Sequence, residues 1–218
     1  MAKQFDRFTV RADGLDGKKA SEYEATILGM LRSYEATQMG RALLNGFRFY
    51  KREVLVYPYD GKLGHCNARA YSDWGMFRTK VSFSPQQWNG VSGCFGPGAA
   101  GNTPHEVFYH ELVHGLRSAA DTLGTFVQEG EEQIAITLAN IFASEVNRPL
   151  RDLDRHKTTA VQTTSEDFLM ANSQLFQALF KQHPDFCRWV AEVTVPFNPV
   201  RLYYLSLKGV PRLRTAPN

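Results

Sequence analysis

Thr103-Pro104-His105-Glu106-Val107-Phe108-Tyr109-His110-Glu111-Leu112-Val113-His114 is the stretch on which the fold turns. A threonine ahead of a proline, with a glutamate three residues on, marks a helix start. The hydroxyl can take one of the unpaired N–H groups, proline loses nothing where its N–H would have no partner, and Glu106 can reach back to the Thr103 amide. The spacing predicts a helix running through His114. On 3.6 residues per turn His110 and His114 stand one above the other on one face, so both imidazoles can bind one tetrahedral Zn²⁺. Glu111 lies about 100° round from His110, beside such an ion, where a carboxylate can take a proton from zinc-activated water and return it to a leaving amine. The pattern is specific. With six histidines in 218 residues, about one chain in a hundred of this composition would carry it by accident.

A catalytic zinc site needs a third protein donor. After His114 come Gly115-Leu116-Arg117-Ser118-Ala119-Ala120, with no histidine at the HxxGxxH spacing, so the metzincin arrangement is excluded and a carboxylate is expected. Gln128 to Val146 reads as a second helix, closed by Asn147 and Pro149, whose body from Ile134 to Ala143 is apolar almost all round and therefore buried. Ala135, Ala139 and Ala143 form a small-residue stripe that admits another helix closely. Glu131 continues that stripe, and Glu132 is its competitor, either as the ligand or as a group orienting an imidazole.

Elsewhere Ser21 and Glu24 read as a capping box opening a helix through Ile27, Leu28, Leu31 and Tyr34, with Gly40 as its stop. Phe47 to Tyr59 is aromatic and β-branched, and predicts two strands turning at Lys51-Arg52-Glu53. Thr79 to Ser84 alternates polar and apolar before Pro85 and predicts a strand at a sheet edge. Gly90 to Gly101 reads as a glycine-rich loop that lacks the GKS/T of a phosphate cradle. Thr164 to Lys181 and Asp185 to Val193 predict helices, Arg151 to Lys157 a solvated loop, and Lys208 to Asn218 a loose tail. The expected fold is α+β, one domain over residues 1–218 with loose ends of about 15 and 10 residues, in which a small antiparallel or mixed sheet packs on the HExxH helix and the following glutamate helix.

Composition bounds the function. A balance of 25 Lys+Arg against 22 Asp+Glu is too even to argue for nucleic acid. No run approaches the ~18 apolar residues of a membrane span, and Met1 to Val10 has no apolar signal segment. Cys66, Cys94 and Cys187 are odd in number and scattered, which suits a reducing compartment. A thiol hydrolase built on Cys94 and His105 would need a supporting Asn or Asp that the sequence does not offer, and a free cysteine is the plainer reading. His65, His105, His156 and His183 read as surface or capped core residues rather than ligands.

His110-Glu111-Leu112-Val113-His114-Gly115-Leu116-Arg117, Glu131-Glu132-Gln133-Ile134-Ala135-Ile136 with Ala139-Asn140, and Arg148-Pro149-Leu150-Arg151 resemble the NleD-type zinc metalloproteases, effectors that bacterial pathogens inject through type III secretion. The resemblance spans about residues 103 to 151. It implies a gluzincin within a zincin-like metalloprotease domain: His110 and His114 as zinc ligands, Glu111 as general base, and a ligand from the Glu131-Glu132 pair. Clostridial neurotoxin light chains are similar in using the first Glu of such a pair, which ranks Glu131 first. Related sequences often read Glu-Asn where this chain has Ala139-Asn140, so the role of that glutamate is absent or reassigned. An oxyanion stabiliser is also needed. Arg201-Leu202-Tyr203-Tyr204 resembles the Arg-x-x-Tyr of the light chains, nominating Arg201 and Tyr204, and Tyr109 directly precedes the motif. The resemblance further implies a protein that meets the type III machinery or its chaperone, enters host cytoplasm and cleaves a host signalling protein of the MAP-kinase type; a monomer is expected. The competing expectation is a catalytically silent zinc protein that acts by occupying a host partner.

Overall fold

A computed structural model describes residues 2–59, 68–73, 78–88, 99–122, 128–153 and 159–210. The chain divides into two compact units, Met1–Val161 and Gln162–Asn218. Together their described residues form an α+β structure with eight α-helices and a five-stranded mixed sheet.

The first unit opens with β1 (Lys3–Phe5) and β2 (Phe8–Val10), an antiparallel pair turning at Asp6, whose φ of 51° is left-handed. The N-terminal residues expected to be loose are thus strands, with Phe8 and Val10 buried. β2 then pairs in parallel with β3 (Glu53–Tyr57), a pairing that requires a crossover. Two helices supply it: α1 (Gly17–Glu35) and α2 (Gln38–Tyr50). β3 pairs in parallel with β5 (Arg78–Ser82), and β4 (Arg69–Asp73) runs antiparallel to β5, giving the order β1-β2-β3-β5-β4. Thr79 to Ser82 is therefore strand as expected, but interior; the edge belongs to β4. A 3-10 turn (Pro85–Trp88), α3 (Pro104–Ala119), α4 (Gln128–Glu145) and a small hairpin of β6 (Leu150–Arg151) and β7 (Ala160–Val161) follow.

Two expectations are corrected in the crossover. α1 begins at Gly17 with Asp16 in the N-cap position, and Ser21 lies inside it, its hydroxyl donating to the Gly17 carbonyl at 3.3 Å. Lys18, Lys19 and Ala20 are good helix formers, so propagation extends one turn ahead of the apparent box. Gly40 is not a stop but part of α2, and Phe47 to Tyr50 is helix rather than strand. The apolar spacing of Met39, Leu43, Leu44 and Phe47 is helical, all four side chains are buried, and this outweighs the β-preference of the aromatics. Thr37 caps α2 by accepting from Gly40 N at 3.0 Å, and the Glu145 carboxylate accepts from Met39 N at 2.8 Å and from Gln38 N. Gly40 has a steric reason: a Cβ there would meet the Tyr34 carbonyl oxygen at 2.2 Å. Lys51, left-handed at φ 57°, ends α2 and turns the chain into β3.

The core lies on one face of the sheet, where Phe8, Val10, Val54, Val56 and Val81 meet the helices. Phe8 packs edge-on against Phe47, Phe83 stacks on Phe108, and Tyr109 stacks on Phe142 with ring centroids 4.5 Å apart. Gly115 lets α3 settle on β5: a Cβ at that position would touch Thr79 Cγ2 at 3.3 Å and Val81 Cγ2 at 3.4 Å. Thr79 and Ser72 bond Ser118 at 3.2 and 2.6 Å, fixing the rotation of α3 over the sheet.

The second unit contains α5 (Ser165–Ala171), α6 (Ser173–Gln182), α7 (Pro184–Glu192) and α8 (Pro199–Leu207) around Phe168, Phe176, Leu179, Phe186, Val190 and Val200. The single helix expected over Thr164 to Lys181 is broken at Asn172, whose side-chain amide donates to Phe168 O at 2.9 Å. Asn198 holds the unit together: its amide donates to Val190 O and Val193 O, its carbonyl accepts from Arg201 N at the start of α8, and its backbone N–H donates to Ser165. His183 is buried here, as a core residue. The glycine-rich loop at 90–98, Cys66, Cys94, His65, His156 and the tail past 210 lie outside the described residues. Among the described residues no helix is long and apolar enough to cross a membrane.

Candidate metal centre

α3 starts as its sequence requires. The Thr103 hydroxyl accepts from Glu106 N at 3.2 Å, Glu106 Oε2 accepts from Thr103 N at 2.9 Å, and Pro104 takes the first helical position. This fixes the register of the helix, and one turn further on His110 and His114 bring their Nε2 atoms to 3.1 Å. α4 supplies the third group. Glu132 sets Oε2 at 3.4 Å from His110 Nε2 and Oε1 at 3.4 Å from His114 Nε2, and the three residues form a cluster that could hold a metal ion.

Donor identity and spacing can be tested against such an ion. A tetrahedral ion with bonds of about 2.0–2.1 Å separates neighbouring ligands by roughly 3.3 Å. The two imidazole nitrogens, 3.1 Å apart, come close to that edge length, and Glu132 reaches them through different oxygens, Oε2 to His110 and Oε1 to His114, at 3.4 Å each. Two imidazole nitrogens and one carboxylate also make a mixed nitrogen and oxygen set suited to a borderline divalent cation.

The three groups shift one another's proton affinities. Burial disfavours the Glu132 charge, but the two imidazoles, each 3.4 Å from a carboxylate oxygen, outweigh it and hold the carboxyl far below its usual range. Burial lowers His110 to about 4 despite the Glu132 carboxylate beside it. His114 is also penalised by burial, yet the Glu132 carboxylate and the neighbouring Glu111 raise it above its ordinary value.

Glu111 is the fourth member. Its side chain is buried, burial pushes its carboxyl up to about 7, and it interacts with both His114 and Glu132 without belonging to the ligand cluster. The backbone amide of Ala70, in the edge strand β4, lies against it, with Arg69 nearby. A carboxyl poised near neutrality beside three ligands can exchange a proton with whatever occupies the site.

Glu131 is placed elsewhere. It faces α3, as its place on the alanine stripe suggests, but there it meets Arg117, whose Nε and NH2 donate to Oε2 and Oε1 at 2.8 Å each. Both side chains are buried, at 2% and 8% exposure, so the pair is a closed bidentate bridge between α3 and α4. With both oxygens committed, Glu131 gives way to Glu132 as the group on the imidazoles. The overlooked signal was Arg117 itself. An arginine among Leu112, Val113, Leu116 and Ala119 lies on a buried helix face, and a buried guanidinium demands a carboxylate. The Asn140 side chain accepts from Arg151 N at 2.7 Å and donates to Arg151 O at 2.8 Å, tying β6 to α4.

Tyr109 is removed from the oxyanion candidates. Its ring is fully buried and its hydroxyl donates to Met39 O at 3.1 Å. Arg201 and Tyr204 belong to the second unit. There Arg201 donates to Ala191 O at 3.0 Å, and Tyr204 stacks on Phe180 with Lys208 over its ring at 5.5 Å. His105 lies on the first turn of α3, its carbonyl accepting from the Tyr34 hydroxyl at 2.7 Å. Comparison with protein-family models, curated proteins and solved structures returned no match. The likeness to NleD-type effectors accordingly rests on the motif residues alone.

Proposed function

We propose that this chain is a zinc-dependent endopeptidase of zincin-like architecture, with His110, His114 and Glu132 as ligands and Glu111 as general base. The observation that carries the proposal is Glu111: a buried carboxyl, raised to about 7, beside the ligand cluster but outside it. A purely structural ion has no use for such a group, whereas hydrolysis needs one.

Zinc at these ligands would supply Lewis acidity, bringing the pKa of water toward ~7 and polarising a carbonyl. The residues of the chain do the rest. His110 and His114 present neutral nitrogens from one rigid helix face, and Glu132, fixed by its place after the Arg117–Glu131 bridge, closes the set. Glu111 accepts a proton from the attacking water and delivers it to the amine nitrogen as the peptide bond breaks. Its raised affinity for protons suits both directions near neutral pH. β4, at the sheet edge with Ala70 against Glu111, would receive an extended peptide by strand addition, bringing the scissile bond alongside the carboxyl. A host signalling protein as substrate, type III delivery and action in host cytoplasm complete the proposal and rest on the motif resemblance.

Glu111→Gln tests it. The expected result is zinc content equal to wild type with cleavage of a degenerate peptide library reduced at least about a thousandfold. A Glu111→Gln protein that binds zinc and keeps its full biological effect would replace this reading with that of a silent binding protein.

A further inference from the structure

Among the described residues, two buried polar atoms at the cluster have no hydrogen-bond partner: His110 Nδ1 and Glu106 Oε1. They are one helical turn apart on the same face of α3, and both residues line one small cavity with Ile136, Ala139, Asn140 and Ala143. The cavity is about 10 Å³, close to the space that a single water requires. Its cause is the alanine stripe of α4, which leaves the gap that larger side chains at 139 and 143 would fill. Nδ1 of the tautomer whose Nε2 is free for a metal carries a hydrogen and must donate it; among the described residues that line the cavity, the unused carboxylate oxygen is Glu106 Oε1.

We infer that one buried water bridges His110 Nδ1–H to Glu106 Oε1, making Glu106 a positioning residue that holds the His110 ring in its ligand tautomer and orientation. This rests on the reading of His110 as a ligand. Glu106 then uses both oxygens. Oε2 closes the capping box with Thr103 and lies 3.5 Å from Arg148 NH2, and Oε1 takes the water. The helix cap and the ligand are thus set by one side chain, itself only 2% exposed.

The test compares Glu106→Gln with Thr103→Ala. Gln cannot offer an acceptor to the Thr103 amide and to the water at once, because one of its two atoms is an NH2. Thr103→Ala removes the hydroxyl half of the box and leaves Glu106 Oε1 in place. Glu106→Gln is expected to weaken zinc binding 10–100-fold in chelator competition, while Thr103→Ala lowers the melting temperature of the metal-free protein and leaves zinc affinity within about twofold. Nitrogen-15 NMR of the metal-free wild type should show His110 protonated on Nδ1, and Glu106→Gln should erode that preference. Ala139→Val, which fills the cavity without touching Glu106, should reproduce the affinity loss if Glu106→Gln does not fold. Wild-type affinity in both Glu106→Gln and Ala139→Val, or an Nε2-protonated His110, overturns the inference. Absence of zinc binding in the wild type overturns instead the metal reading beneath it, and the NMR result then decides the water bridge alone.

Discussion

Replacing Glu111 by Gln in the metal-free protein isolates one electrostatic quantity and predicts a pH-dependent gain in stability. In the folded chain this carboxyl titrates at about 7 rather than 4.5, chiefly because burial penalises its charge; in the unfolded chain it returns to its ordinary value. Below pH 4.5 it is protonated in both states, and Gln imitates it. As pH rises from 4.5 to 7 the unfolded chain ionises first, so the wild type loses stability, and above 7 that loss is complete. The interval from 4.5 to about 7, at 1.36 kcal/mol per pH unit, amounts to about 3 kcal/mol. Gln escapes it. The His110 contribution is common to both proteins, and the attraction between His114 and Glu111 is already contained in the Glu111 value of about 7. Urea unfolding followed by circular dichroism, in chelator and at half-unit steps from pH 4.5 to 8, measures this directly. The Gln variant should gain steadily on the wild type across that range and by pH 8 melt roughly 6–12 °C higher relative to its acid-side offset. A gap that stays constant with pH would mean that Glu111 titrates as an exposed carboxylate, and the argument from its burial would fail.

Two other substitutions probe the frame around the site. Arg117→Met leaves the Glu131 carboxylate buried without its partner, and should destabilise the protein by about 3–5 kcal/mol. The double variant Arg117→Met with Glu131→Leu should recover most of that loss in the same denaturation assay; no recovery would show that the pair is not a closed unit. Gly40→Ala drives a Cβ into the Tyr34 carbonyl oxygen, 2.2 Å away. Because the obstructing atoms are backbone, the cost should lie at or above the upper end of the usual 1–3 kcal/mol for overpacking, and a melting temperature within 2 °C of wild type would contradict the packing of α1 on α2.

The legible parts of this fold were those that local chemistry determines. Thr103, Pro104 and Glu106 announce α3 because a cap needs no distant partner, and His110, Glu111 and His114 follow from helical geometry alone. α4 was readable from its apolar body. What the sequence hid depended on tertiary partners. Phe47 to Tyr50 carries strand-like side chains, yet belongs to α2 because Leu43, Leu44 and Phe47 share one buried helix face. β4 has no alternating apolar pattern, since Arg69, Tyr71 and Ser72 sit on an edge strand that is exposed or half-buried. The choice between Glu131 and Glu132 turned on a single residue of another helix. The stripe argument found the correct face for Glu131, but Arg117 already held that face, and the carboxylate one position further round α4 reached the imidazoles.

Metal analysis of the purified wild type beside Glu132→Ala and Glu131→Ala is the most direct test of the centre. One zinc per chain is expected in the wild type and in Glu131→Ala, the latter unfolding at lower urea because Arg117 is left buried without its partner. Glu132→Ala should be folded and lack stoichiometric zinc. A full complement of zinc in Glu132→Ala, or its loss from a folded Glu131→Ala, would contradict the ligand set on which the proposed chemistry depends.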